Sequence, residues 1–307
     1  MKRRIFAAAL ALLFLCGCRT APTLREVATT TTAANKATTA KATTTATTKA
    51  TTKTATTTAT TAAIKEVVLY ESDGIKITAK KLQEQPGRNA ELSLLIENGT
   101  QEDLTFQVRD VSVNGCMVDT LFSSSVAAGK KINDKITFLS SDLELYDIKR
   151  IKEIELFFHI FHTSDWNERF DTEIVKITTN AENVKPFSFA EDGVVAYDEN
   201  GIKIVPYRFV SDGSRAPALM IYIENNTEKC MTVQARNESV NGFMVDSLFS
   251  AEIASGKCII DDLRFLESSF EDNEIEKVET IELYFHVFDS ETWKERFDTD
   301  TVSLVVK

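Results

Sequence analysis

The chain has 307 residues, 43% of them hydrophobic, which is room for two ordinary domains and enough apolar material for their cores. Outside one short N-terminal run no segment reaches the ~18–20 apolar residues of a membrane helix, so a polytopic membrane protein is excluded. The formal charge of −11 is uneven: residues 1–63 are basic, the rest carries about −19, and such a field repels nucleic acid and other polyanions.

Lys2, Arg3 and Arg4 precede an apolar run from Ile5 to Leu15 and then small residues, the layout of a signal peptide too short to span a bilayer as a stable helix. Leu15-Cys16-Gly17-Cys18 resembles the bacterial lipobox. That resemblance implies lipidation of Cys18 as the mature N-terminus and loss of Cys16 with the signal. A plain secretory signal with an incidental Cys, or a Cys16–Cys18 disulfide, is the simpler alternative. From 19 to 63 the chain is nearly all Thr and Ala with spaced Lys36, Lys41, Lys49 and Lys53. It has too little apolar surface to offset ordering entropy and is expected to be a disordered tether. Its relaxed span is roughly 35–40 Å and its stretched reach about 140 Å, enough to lift a head through a cell wall. A plain spacer is the first expectation, with O-glycans on Thr or Lys contacts to anionic wall polymers as overlays.

The head is written twice. Val67–Thr179 laid over Val194–Val306 matches at about 49 of roughly 113 positions without a gap, which marks a duplicated domain rather than a solenoid. Shared landmarks include Ser112-Val113-Asn114-Gly115 over Ser239-Val240-Asn241-Gly242, and Glu168-Arg169-Phe170-Asp171 over Glu295-Arg296-Phe297-Asp298. The expected layout is a signal and lipidated Cys at 1–18, a tether at 19–63, a first module at 64–180, a linker at 181–193 and a second module at 194–307.

Each copy reads as β. Asp73-Gly74 and Asn114-Gly115 supply the positive-φ pairs of two-residue hairpins. Leu92, Leu94 and Ile96 alternate with Ser93 and Glu97, Phe106, Val108 and Val111 continue a strand, and Ile132, Ile136 and Phe138 mark another. Ser141 to Tyr146 is expected to form one or two helical turns with Ser140 or Ser141 as N-cap. Ile154 to Phe161 is apolar on both alternating sets, as in a strand covered on both sides. Ile174 to Thr178 closes the module.

Seven or eight such strands per copy and no long helix predict an all-β chain: two tandem immunoglobulin-like antiparallel sandwiches after the tether. The antibody Cys…Trp…Cys spacing is absent, and Trp166 and Trp293 are expected in a loop after the long strand. The whole chain resembles surface lipoproteins of Gram-positive, Clostridium-like bacteria that carry tandem Ig-like modules behind a low-complexity tether. The resemblance implies an architecture on the extracellular face of the cell membrane, not a site.

Among the head's cysteines, Cys116 aligns with Phe243 and reads as a small buried apolar residue. Cys230 and Cys258 replace Asp103 and Lys131 of the other copy, and this pair of changes suggests a disulfide closing a loop of about 28 residues. His159 and His286 share one slot but lack a ligand frame, even counting Asp119, Glu155, Asp171 and their counterparts Asp246, Glu282 and Asp298. Structural histidines are therefore expected, with no metal and no cofactor. Trp166 with Arg169, and Trp293 with Arg296, are the candidate binding residues for a protein or glycan ligand. In the simpler reading Trp and Phe plug one end of the core and Arg pairs locally; whether the indoles face solvent or core separates the two. Arg109, Arg236, Asp119 and Asp246 read first as internal polar pairs. No nucleophile elbow, phosphate loop or zinc-helix motif is present, so no enzyme is expected. The expected role is surface display for adhesion, ligand or partner binding, with a spacer role and a sugar- or metal-dependent Trp/His end as alternatives. The partner the anchor implies is the membrane.

Overall fold

The computed structural model describes residues 63–211, 216–294 and 296–306. The signal segment, Cys18 and nearly all of the tether lie outside them. The first module runs β1 (Val67–Ser72), β2 (Ile75–Gln83), β3 (Ala90–Asn98), β4 (Leu104–Val113), β5 (Cys116–Met117), β6 (Thr120–Leu121) and β7 (Ser123–Val126). It continues with β8 (Lys130–Phe138), α1 (Ser140–Leu145), β9 (Glu153–His162), β10 (Asp165–Asp171) and β11 (Val175–Thr178). The second repeats this order: β12 (Tyr197–Glu199), β13 (Ile202–Val210), β14 (Ala218–Asn225), β15 (Met231–Val240), β16 (Phe243–Met244), β17 (Ser247–Leu248) and β18 (Ser250–Ile253). It ends with β19 (Lys257–Phe265), α2 (Glu267–Asp272), β20 (Thr280–Asp289), β21 (Phe297–Asp298) and β22 (Val302–Val305).

In the first module the sheet β1-β2-β3-β8-β6 faces a second one in which β9 and β4 are central, flanked by β10 and β11 on one side and by β7 and β5 on the other. The chain changes sheet between β3 and β4, at each step from β5 to β8, and again between β8 and β9, the crossing connections of an immunoglobulin-like sandwich. The hairpins form where the sequence places them: Asp73-Gly74 (φ 51 and 80) joins β1 to β2, and Asn114-Gly115 (φ 52 and 89) joins β4 to β5. Between the sheets, Ile77, Leu94, Ile96, Ile136 and Phe138 meet Phe106, Ile154, Phe158 and Ile160, all buried. The second module packs Ile204, Ile221, Ile223 and Phe265 against Val233, Leu283, Phe285 and Val287. Asn98 and its counterpart Asn225 pin each core edge. Asn98 Nδ2 donates to the Glu102 and Val126 carbonyls at 2.8 and 2.9 Å, and Asn225 Nδ2 does the same to Lys229 and Ile253, both at 2.8 Å.

Two expectations are corrected locally. The first helix has Leu139 as N-cap with no side-chain cap, so neither Ser140 nor Ser141 serves. Trp166 lies within strand β10 rather than in a loop.

The modules are docked head to tail. β5 pairs with β19 in parallel, Cys116 beside Cys258, and joins the second sheet of the first module to the first sheet of the second module. Val205, Tyr222, Cys258 and Ile260 on the outer face of that sheet thereby become part of the first module's buried cluster. Segment 181–193, expected as a linker, contributes to this seam: Phe187 meets Tyr146 edge-on at 5.2 Å, and Phe189 stacks on Tyr222 at 4.3 Å. Gly193 ends it in close approach to β13, where any Cβ would meet Val205 and Pro206.

Candidate functional site

The solvent face of the β4–β9 sheet carries a row of four polar residues, one per strand. Register places Ser123 beside Gln107, Gln107 beside His159, and His159 beside Asp171. The second module builds the same row from Ser250, Gln234, His286 and Asp298. Both imidazoles hold Nδ1 2.5 Å from the aspartate Oδ1. A proton on Nδ1 satisfies that bond and leaves Nε2 of a neutral ring as an acceptor. Arg109 donates to Gln107 Oε1 at 2.8 Å, and Arg236 donates likewise to Gln234. Both arginines are exposed on this face, contrary to the internal pairs expected of them.

An aromatic step flanks each row. Phe161, next to His159 at 5.6 Å, is covered by Trp166, stacked at 4.6 Å; Phe288 lies 5.5 Å from His286 and is covered by Trp293 at 5.1 Å. The phenyl rings are only 2% and 5% exposed, yet the indoles are 63% and 67% exposed. The plug reading is therefore corrected: each Trp lies outside the sheet, one ring face on a Phe and the other open. On β9, Ile154, Leu156, Phe158 and Ile160 fill the core, while Phe161 on the other side of the strand carries the aromatic step beside His159. Arg169 and Arg296 are exposed at the same end.

The two copies reach this arrangement by different backbones. In the first, Trp166 sits on β10, paired back onto β9 from Asp165 opposite His162. In the second, Asp289 Oδ1 accepts the N–H groups of Glu291 and Thr292 at 3.0 and 2.9 Å, and Trp293 adopts φ +58. A left-handed conformation at a bulky residue costs on the order of 1–3 kcal/mol. That strain is accepted and the indole still arrives on its Phe.

The cysteines are not where the copy comparison places them. Cys258 lies on the outer face of β19 against Cys116, their sulfurs 3.4 Å apart, whereas Cys230 immediately precedes β15 of another sheet with its thiol 3.4 Å from Glu252. Cys230 and Cys258 thus point from different sheets and do not bond; all three thiols are free. Burial raises the Cys230 thiol to about 12. Where Cys116 faces the seam, Glu155 of the first module binds Lys257 of the second at 2.5 Å and Lys176 at 3.0 Å. Burial alone raises Glu155, but the hydrogen bonds from Lys257 and Lys176 outweigh it and bring the carboxyl to about 2. Asp110, held at φ +48 at the same seam, is raised to about 6 by burial and then by Glu252 of the second module. Among the described residues no group of three or more His, Cys, Asp or Glu side chains is gathered as a metal ion requires.

No protein-family model and no curated protein matches the sequence. Solved structures to which the chain shows similarity include a Salmonella enterica SafA pilin in complex with the SafB chaperone, 13% identical over 77% of this chain and 98% of that one, with a TM-score of 0.26. The YadV chaperone is 10% identical over 70% and 92% of the two chains, with a TM-score of 0.23. Red sea bream transglutaminase is 11% identical over 77% of this chain and 32% of its own, with a TM-score of 0.21.

Proposed function

We propose that this chain is a non-enzymatic surface lipoprotein, held on the outer face of the cell membrane by a lipid on Cys18, that binds ligand through two equivalent faces of a docked sandwich pair. The observation that carries this reading is the indole placed twice, open to solvent on one side, by two unlike backbones. A loop that merely closed a sandwich would have no reason to accept a strained Trp293. Two weak sites at fixed separation raise avidity through effective concentration.

The His–Asp pairs support binding rather than catalysis. Ser123, the hydroxyl of the row, stands beyond Gln107, two strand spacings or about 9.5 Å from the strand of His159, too far to surrender a proton to it. A saccharide is the ligand chemistry the row favours. An open indole stacks on a sugar ring while the imidazole Nε2, the glutamine amide and the neighbouring arginines supply hydrogen bonds.

Calorimetry and glycan-array binding of the purified chain test the reading, alongside W166A, W293A and the double variant. Each single variant is expected to keep weak binding and the double variant none. Equal binding by the double variant, or no binding to glycans or surface proteins by any form, leaves the spacer role. Labelled palmitate entering the native protein but not C18A tests the anchor.

A further inference from the structure

The geometry points to Cys116 and Cys258 as an oxidation site whose disulfide ties the first sandwich to the second. The two residues are register partners on the adjacent strands β5 and β19, and the N–H of Cys258 donates to the Gly115 carbonyl at 3.1 Å. Neighbouring strands stand about 4.7–4.9 Å apart, inside the Cα separation of about 4.4–6.8 Å that a disulfide spans. Their sulfurs already touch at 3.4 Å, and both side chains are buried, 1% and 9% exposed.

Neither cysteine belongs to the duplicated pattern. The first copy has Lys131 where the second has Cys258, and the second has Phe243 where the first has Cys116. The pair exists only at the seam, and there each thiol faces the other. The bond would close 142 residues of sequence separation, so it constrains the unfolded chain over most of the head.

The chemistry is thiol–disulfide exchange with a disulfide donor, either a dithiol oxidoreductase in its oxidised form or a small-molecule disulfide. One cysteine, as thiolate, attacks a donor sulfur and displaces the donor's other sulfur as a thiolate. The second cysteine, deprotonated, attacks the mixed disulfide at the protein sulfur and releases the remaining donor sulfur. The protein loses two electrons and two protons, the electrons leaving in the reduced donor. Because the docked seam shields both sulfurs, exchange precedes or accompanies docking. This inference is independent of ligand binding by the Trp faces.

The test is peptide mapping of the full-length chain, refolded with oxidised glutathione, free thiols alkylated after denaturation. A peptide linking Cys116 to Cys258, with Cys230 alkylated, is the expected result. The thermal midpoint should fall on adding reductant to the native sequence and stay unchanged by it in the C116S/C258S variant. Complete alkylation of Cys116 and Cys258, or a peptide linking either one to Cys230, would overturn the assignment.

Discussion

The backbone N–H of Ile260, in the second sandwich, donates to the phenolic oxygen of Tyr146, in the first, across 2.8 Å in a site where both residues are buried. Ile260 lies opposite Tyr222 on β14, and its one backbone N–H points away from that strand toward the other module. The counterpart of Tyr146 in the second module is Asn273, so the bond belongs to the seam and not to the repeat. Tyr146→Phe keeps the ring against Phe187 but strands the buried donor, a loss of about 1–3 kcal/mol by denaturant unfolding. Tyr70→Phe, on the half-buried β1, is the control and should change little.

The exposure of both indoles has a direct optical test. The chain has two tryptophans, so its indole emission reports Trp166 and Trp293 alone. Emission close to that of free tryptophan, with ready quenching by acrylamide, is expected in the native state. Blue-shifted, unquenched emission would restore the plug. Truncating either Trp to Ala uncovers one phenylalanine on the outer face and should cost about 1–2 kcal/mol of stability, well below the 3–5 of a core aromatic.

Asp110 makes the seam sensitive to pH. Its carboxyl rises from 3.8 toward about 6 on folding, through burial and the facing Glu252, with Asp171 adding to the rise and Arg109 opposing it. A folded value above the unfolded one means that this group's contribution is full below about 3.8 and is lost as pH climbs through about 6. Asp110→Asn should therefore raise the thermal midpoint near pH 8 and leave it unchanged near pH 3.5. The second module already holds Asn237 at the equivalent position with φ +55, so asparagine suits that backbone. An equal shift at both pH values would sink the electrostatic account.

Glu155 predicts the opposite slope. Its carboxyl is lowered from 4.5 to about 2, so the stability it lends is present above about 4.5 and fades as pH drops toward 2. Lys257→Ala leaves Lys176 as the cation bonded to Glu155 and removes a link between modules whose side chains are only 11% and 18% exposed. A loss of about 1–3 kcal/mol near neutral pH is expected, shrinking in acid; a pH-independent loss would mean that lysine stem packing, not the charge, is responsible.

The duplication, the Asn-Gly and Asp-Gly hairpins and the core strand at Ile154–Phe161 were legible because local chemistry decides them. Residues that accept positive φ close such a turn, and a short apolar run bounded by turn signals fits a covered strand. The docking was not, because alternation shows which side chains leave a core but not what meets them outside. A signal was present in the differences between copies. Lys80, Ser93, Lys131 and Asn133 on the outer face of the first module correspond to Tyr207, Met220, Cys258 and Ile260 in the second. Polar-to-apolar exchange on every second residue of neighbouring strands marks a sheet face that has gained a cover. The Cys230–Cys258 expectation failed because two aligned polar-to-Cys replacements do not tell which sheet each residue occupies. The matching Trp positions were legible in the repeat, but the unlike backbones that carry them were not, because aligned letters do not distinguish a strand from a turn.

A head-to-tail contact between like parts has no inherent stopping point and builds filaments when every part offers both surfaces. Here the second module still displays the end by which the first one grips it, with Phe243 and Met244 49% and 64% exposed. The first module, however, offers a neighbour a charged face on which Lys131 pairs with Glu97 and Lys135 with Glu91, and covering it with an apolar end would desolvate those ions without replacing their partners. Among the described residues, nothing on the first module thus repeats the apolar seat by which the second is gripped, and the contact joins two unlike partners although the modules are copies.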